Sequence, residues 1–286
     1  MSAMINTLSN SKDEARVKVV ELLKYINSEL LTPPMELTLE LIVDMLILIS
    51  KKMYIKYQKL AIESMVNGVK LITYNEKIDY KGVLPAKKGE PTWAKNLYKK
   101  ITELIIHKAS LSHILLELCG NLKLLLEGYV SYKDLIIITK VKEVYNDKKS
   151  NISRFVNQIK DRVILKDGDF IQYLLMECCI EGKVRQSDKF MLVDDYELCK
   201  NNGLDMDLDY LQYIKTSAMG KIDKLINITL GKRMIDTGIS IKPGRARNPR
   251  FFDEPIKLIY ELMTLKSNSL TMDEIISIII ECDFDG

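Results

Sequence analysis

Apolar residues recur at helical spacing over residues 12–31, at Val17, Val20, Leu23, Ile26 and Leu30. Pro33-Pro34 ends that helix, because proline lacks an amide donor and restricts the residue before it. The period then changes. Met35-Glu-Leu-Thr-Leu-Glu40 alternates apolar and polar positions, and Leu46–Tyr57 and Gly68–Tyr74 are short runs rich in strand formers. Asn67-Gly68 is a hairpin turn signal. A small antiparallel sheet is expected within residues 35–83.

From Pro91 onward helical spacing returns. Helices are expected at Pro91–His107, Ser110–Gly128, Ser150–Arg162, Asp207–Gly220, Lys221–Gly231, Glu254–Lys266 and Thr271–Glu281, with Asp209 and Thr271 as N-caps. Asp134–Lys140 and Phe170–Met176 read as short strands, the second following a turn at Gly168-Asp169. The expected fold class is α+β: a partial antiparallel sheet, then a mostly helical domain. The boundary falls near Glu90–Trp93, giving domains 1–92 and 93–286. No repeat of 20–50 residues stands out.

Composition narrows the class. Apolar residues make up 47% and charged residues 28% of 286, which fits a folded chain and not a disordered one. Five cysteines with no paired framework exclude a disulfide scaffold and point to a reducing, intracellular setting. Asp44 interrupts the longest apolar run, Leu41–Ile49, so no membrane span is expected. No signal-peptide pattern is visible at the N-terminus.

The net charge of +3 conceals segregation. Residues 51–100 hold twelve lysines against Glu63, Glu76, Asp79 and Glu90. Lys242, Arg245, Arg247 and Arg250 form a second basic island, whereas residues 188–210 carry seven acids and two lysines. The lysine-rich strip is interleaved with Tyr54, Tyr57, Tyr74, Tyr80, Trp93 and Tyr98. A solvated lysine face is the plain reading. Aromatic neighbours on a basic strip also suit a nucleic-acid backbone.

Other chemistry is missing from the sequence. There is no Gly-rich phosphate loop and no C-x-x-C pair. Cys178-Cys179 sits in an apolar run and reads as core. His107 and His113, six apart, would point to different helix faces and make a poor metal pair. Asp205-Met-Asp-Leu-Asp209 resembles the start of a calcium loop, but Tyr210 stands where glycine is needed and Thr216 where glutamate should close the site. It reads as the solvated start of a helix. No catalytic constellation and no metal site are expected on this chain.

Several segments, in order, resemble the C-terminal third of family B DNA polymerases, especially those of large DNA viruses. Pro33-Pro34-Met-Glu-Leu, followed by Leu46-Ile-Leu-Ile-Ser-Lys51-Lys52-Met53-Tyr54, is similar to the family's "P-x-x-L-E … K-K-R-Y" palm segment. Lys77-Ile-Asp-Tyr-Lys81-Gly82-Val83 resembles its K-G segment, and Lys87-Lys88 the basic pair that follows. Asp134-Leu-Ile-Ile-Ile-Thr139-Lys140 resembles the thumb's "D-L-V-I-T-K". Asp167-Gly168-Asp169-Phe-Ile-Gln-Tyr173 resembles "x-G-D-R-I-x-Y", and Asp209-Tyr210-Leu-Gln-Tyr213 with Lys221–Asn227 the thumb helices beginning "D-Y-x-Y-Y". The resemblance spans about residues 33–231.

The resemblance implies a remaining palm in residues 1–92 and a thumb in 93–286, which in the family hold the primer–template duplex. Lys51, Lys52 and Tyr54 would lie along the minor groove, and Lys81, Lys87 and Lys88 would meet backbone phosphates. Met53 and Phe170 depart from the family, each replacing an arginine. The D-x-x-S-L-Y-P, K-x-x-x-N-S-x-Y-G and Y-G-D-T-D-S motifs are not in the sequence. Ser2-Ala3-Met4-Ile5 resembles the strand after Y-G-D-T-D, so the chain is expected to begin at that junction.

The implied function is the C-terminal portion of a DNA-directed DNA polymerase acting in replication, at a viral replication site in the host cytoplasm or nucleus. Mg2+ serves the complete enzyme, and none is bound by this chain alone. The implied partners are the duplex, an N-terminal portion bearing the catalytic aspartates, and a processivity factor. Cys282–Gly286 is too nonspecific to assign as a clamp-binding tail. Two other readings stay open. One is a stand-alone nucleic-acid binder. The other is a helical interaction protein docking through Ile275–Ile280.

Overall fold

The computed structural model describes residues 7–9, 11–32, 35–66, 69–142, 150–160, 162–177, 189–204 and 206–236. The fold is α+β, as the sequence leads one to expect, with two small antiparallel sheets. Two compact units divide at Lys81–Gly82. The expected helices at 254–266 and 271–281, the Cys178-Cys179 pair and the Asn67-Gly68 turn lie outside the described residues.

The first unit opens with α1, Lys12–Tyr25. Ser11 caps it, its hydroxyl accepting the Glu14 amide at 3.2 Å, with Asp13 and Glu14 in the positive first turn. The helix widens into a π-turn at Ile26–Leu30. There the Asn27 side chain donates to the Leu37 carbonyl and accepts the Leu37 amide, both at 2.9 Å. That is why the alternation at Met35–Glu40 makes no strand: Leu37 finds its partner in a side chain, not in a ladder.

The sheet of this unit runs β1 (Met45–Ser50), β2 (Met53–Val66) and β3 (Val69–Lys81), all antiparallel. The β2–β3 pairing extends from Tyr54↔Lys81 to Val66↔Val69, well beyond the two short runs legible in the sequence. One face buries Ile47, Ile49, Ile55 and Tyr57. The Tyr57 hydroxyl donates to Glu76 at 2.8 Å. Burial, with that bond and the charges of Glu76 and Asp44, pushes it up to about 12.

Strand β1 covers β2 only as far as Tyr57, whose carbonyl accepts the Asp44 amide at 3.0 Å. At the next outward position a side-chain pair replaces the strand. Asp44 Oδ2 accepts the Lys59 amide at 2.7 Å, Lys12 Nζ donates to the Lys59 carbonyl at 3.0 Å, and the two charges meet at 2.7 Å. An open strand edge templates further pairing, and charged groups blunt it. Burial acts to raise the Asp44 pKa, but the bonds from Lys12 and Lys59 and their charges outweigh it and leave the carboxyl below its ordinary value. A lowered carboxylate stabilises above its unfolded pKa and loses that contribution as pH falls through the folded value. The clasp is therefore expected to hold at neutral pH and to open only in acid below the ordinary carboxylate range. Asp44→Ala should open it at pH 7, visible as concentration-dependent self-association in sedimentation velocity.

The second unit is built on α2 (Thr92–Ile106) and α3 (Leu111–Leu126). Leu97, Ile101 and Ile105 bury one stripe of α2, and Leu111, Leu115, Leu118, Leu122 and Leu125 one of α3. Ser110 caps α3, accepting the His113 amide at 3.2 Å. The short α4 (Tyr132–Leu135) leads into β4 (Ile137–Lys140), so only the second half of the expected strand is extended. Helix α5 (Asn151–Ile159) packs Phe155 against Tyr173 and Phe190, with ring centroids 5.6 and 5.5 Å away.

Strands β5 (Phe170–Leu175) and β6 (Phe190–Leu192) complete the order β4-β5-β6. Helix α6, Val193–Asn201, follows β6 without a loop and was hidden in the acidic stretch. The two helices expected across 207–231 form one run: α7 (Tyr210–Tyr213), a π-turn (Ile214–Met219) and α8 (Gly220–Asp236). The Tyr213 hydroxyl, fully buried, accepts the Leu175 amide at 2.8 Å and ties this run to β5. Asp209 caps α7 as expected, accepting the Gln212 amide at 2.9 Å. It is buried rather than solvated, because Lys189 pairs with it at 2.6 Å. Among the described residues no helix is long and apolar enough to cross a membrane.

Candidate nucleic-acid interface

In the first unit, Lys51 and Lys52 are the two residues of the β1–β2 turn, flanked by the Ser50↔Met53 pair. Both are exposed. Such turns favour glycine or asparagine, because a positive φ is needed. Lys52 nevertheless adopts φ 65°. The register shifts between Leu48 and Ser50, a bulge that re-aims the turn. Tyr54 lies directly opposite Lys81, and Lys56 Nζ stands 5.4 Å from the Tyr54 ring centroid. Strand alternation puts Tyr54, Lys56 and Lys81 on the face away from buried Ile55 and Tyr57.

Four of the nominated residues, Lys51, Lys52, Tyr54 and Lys81, thus gather at one end of one sheet. Lys56 joins them; its spacing of two from Tyr54 was the available signal. Further along the ribbon the lysines are neutralised: Lys59 lies 3.9 Å from Glu76 and Lys77 3.3 Å from Asp79. Among the described residues no ion pair engages Lys51, Lys52, Lys56 or Lys81. The uncompensated charge is therefore concentrated at the turn end, beside an aromatic ring.

In the second unit, Lys87 and Lys88 follow a 3-10 turn at Leu84–Ala86 and are exposed. Three ties fix their loop. The Ile138 amide donates to the Gly89 carbonyl at 3.0 Å, Lys95 Nζ donates to the Lys88 carbonyl at 3.2 Å, and Lys221 pairs with Glu90 at 2.7 Å. Burial lowers the Lys95 pKa, with Glu90 opposing and Lys99 adding to the shift.

Beneath the loop is a cavity of about 400 Å³, lined among others by Glu90, Ile137, Thr139, Tyr173, Phe190 and Lys221. Burial raises the Tyr173 hydroxyl pKa; a hydrogen bond with Thr139 opposes this and the Glu90 charge adds to it. Lys221→Gln is expected to leave the Glu90 charge half-buried and unpaired. Amide exchange at Lys87 and Lys88 should then rise several-fold, and the charge swap Glu90→Lys with Lys221→Glu should restore protection.

Among the described residues no group of three or more His, Cys, Asp or Glu side chains is placed to hold an ion. His107 ends α2 and His113 stands in the first turn of α3, so they occupy separate helices rather than two faces of one.

A family model, DNA polymerase family B, matches residues 2–228, most of the 286-residue chain. The chain belongs to DNA polymerase family B. The match takes in Lys51, Lys52, Tyr54, Lys56, Lys81, Lys87 and Lys88, together with both sheets. No match was found among curated proteins. Membership gives the exposed lysines a DNA-polymerase-related context.

Proposed function

We propose that this chain is the palm-and-thumb portion of a family B DNA polymerase and grips the primer–template duplex during replication. The observation that carries the reading is the Lys51-Lys52 turn. Two exposed lysines occupy a tight turn at the expense of backbone strain, next to Tyr54. Strain of this kind concentrates at functional positions.

In this reading Lys51, Lys52 and Tyr54 follow the minor groove, where the two ammonium charges also displace counterions. Its edges present A·T and T·A alike, so contacts there are tolerant of sequence. Lys81, Lys87 and Lys88 neutralise phosphates and position the duplex without reading it. The catalytic aspartates belong to an N-terminal portion, and a processivity factor is a further partner. Mg2+ would act in that complete enzyme. Among the described residues the carboxylates do not cluster to hold it.

The test is fluorescence anisotropy of the full chain with labelled duplexes across a salt series. Binding should weaken with salt and vary little with base sequence. Each of Lys51, Lys81, Lys87 and Lys88 changed to alanine should lower the slope of log K against log salt by about 0.9. A slope unmoved by these substitutions, or a strong preference for one sequence, would overturn the reading.

A further inference from the structure

A second surface of the second unit carries chemistry that duplex gripping leaves unused. Phe170 opens β5 with 68% of its surface exposed. Directly opposite is Lys140, the last residue of β4, and the next pair on the same face is Ile138↔Gln172. Strand alternation places Ile138, Lys140, Phe170 and Gln172 on one face. The other face is occupied: Ile171 and Tyr173 are buried, and Phe155 packs on Tyr173. Phe170 therefore does not belong to the aromatic core on the other side of its own sheet.

The corner that holds it is rigid. The Val141 amide donates to the Asp169 carbonyl at 2.7 Å and the Gly168 amide to the Val141 carbonyl at 3.1 Å. Gly168, at φ 95°, leaves a bare surface beside the Lys140 stem; a Cβ there would sit 3.6 Å from Lys140 Cε. Lys140 is exposed, and among the described residues no carboxylate pairs with it. An exposed aromatic ring, an ammonium with no ion-pair partner among the described residues, and an amide side chain thus share one end of a fixed strand pair.

We infer that this β4–β5 face binds single-stranded DNA, with Phe170 stacking on an unpaired base and Lys140 holding an adjacent phosphate. A ring on a rigid strand with a cation beside it is the elementary unit of single-strand binding. A duplex suits the face less well, because its base faces are hidden in the stack. A protein partner suits it less well too, because among the described residues on this face polar Lys140 and Gln172 flank Phe170 and Ile138 lies only diagonal to it. The inference goes beyond duplex gripping and uses none of the residues assigned to it.

The experiment is anisotropy with a labelled oligothymidylate of about 12 nucleotides, run beside a blunt duplex. Phe170→Ala should weaken oligothymidylate binding about tenfold, and Phe170→Trp should keep it. Lys140→Gln should lower the single-strand salt slope by about 0.7. Duplex affinity and thermal midpoint should not move in any of the three. Unchanged oligothymidylate affinity in Phe170→Ala would overturn the inference, as would an equal loss on duplex and single strand. The two readings fail separately: loss of duplex binding in the Lys51 and Lys52 variants is read on the duplex alone, and the Phe170 effect on the single strand alone.

Discussion

Gly89→Ala is expected to destabilise the second unit by about 2–4 kcal/mol and to disable its basic pair. The requirement is for space. A Cβ on residue 89 would fall deep inside the van der Waals envelope of the Ile138 carbonyl oxygen, with the Ile138 carbonyl carbon just behind at 3.3 Å. Both obstacles are backbone, so no side chain can swing aside. Either the bond from the Ile138 amide to the Gly89 carbonyl breaks, or β4 moves. Movement of β4 is resisted, because Ile137 pairs with Tyr173 and Tyr173 sits in the aromatic cluster with Phe155 and Phe190. Overpacking of this kind costs about 1–3 kcal/mol, and the lost hydrogen bond adds about 1. The thermal midpoint should drop by roughly 5–15 °C. Lys87 and Lys88 immediately precede the displaced residue, so the duplex salt slope should fall by about 1.8, as if both were missing. A midpoint equal to that of the unaltered chain would show that the loop does not run against β4.

What was legible in the sequence follows from the range of each interaction. The long helices α2 and α3 announced themselves because their buried stripes repeat within a single element and because Ser110 is a local cap. The β2–β3 ribbon was legible only in pieces. Residues 59–63 and 72–77 are exposed, and there Lys59, Glu63, Asn75 and Glu76 interrupt the apolar alternation that would have marked it. Met35–Glu40 had the alternation and no strand, since the Asn27 amide serves as its partner from ten residues away. Strand β6 spans three residues, too few for any period. The Lys51-Lys52 turn could be nominated from its residues, but its φ could not. The Glu90–Lys221 pair joins residues 131 apart and has no local signal. The need for glycine at position 89 is set by the distant Ile138 carbonyl and has no local signal.

Lys52→Gly is expected to make the protein more stable and a poorer duplex binder at once. A non-glycine residue in the left-handed region costs roughly 1–2 kcal/mol, through crowding of Cβ against the following carbonyl. Lys52 holds φ 65°, and glycine adopts that conformation freely. Relief of that strain exceeds the extra chain entropy glycine brings, so a net gain of about 0.5–1 kcal/mol should appear in urea denaturation. The same change removes one uncompensated charge, and the duplex salt slope should fall by about 0.9. Two companion variants separate the causes. Lys52→Ala removes the charge and keeps the Cβ, so the slope falls with no gain in stability. Lys51→Gly removes a charge where φ is not positive, so the slope falls and stability drops by about 0.5–1 kcal/mol. If Lys52→Gly lost stability, the turn would not carry strain. If it kept its slope, the strain would have no connection with DNA. Opposite signs in stability and binding at one residue, set against same-sign losses at its neighbour, are what a charge held in an unfavourable backbone for the sake of a contact must produce.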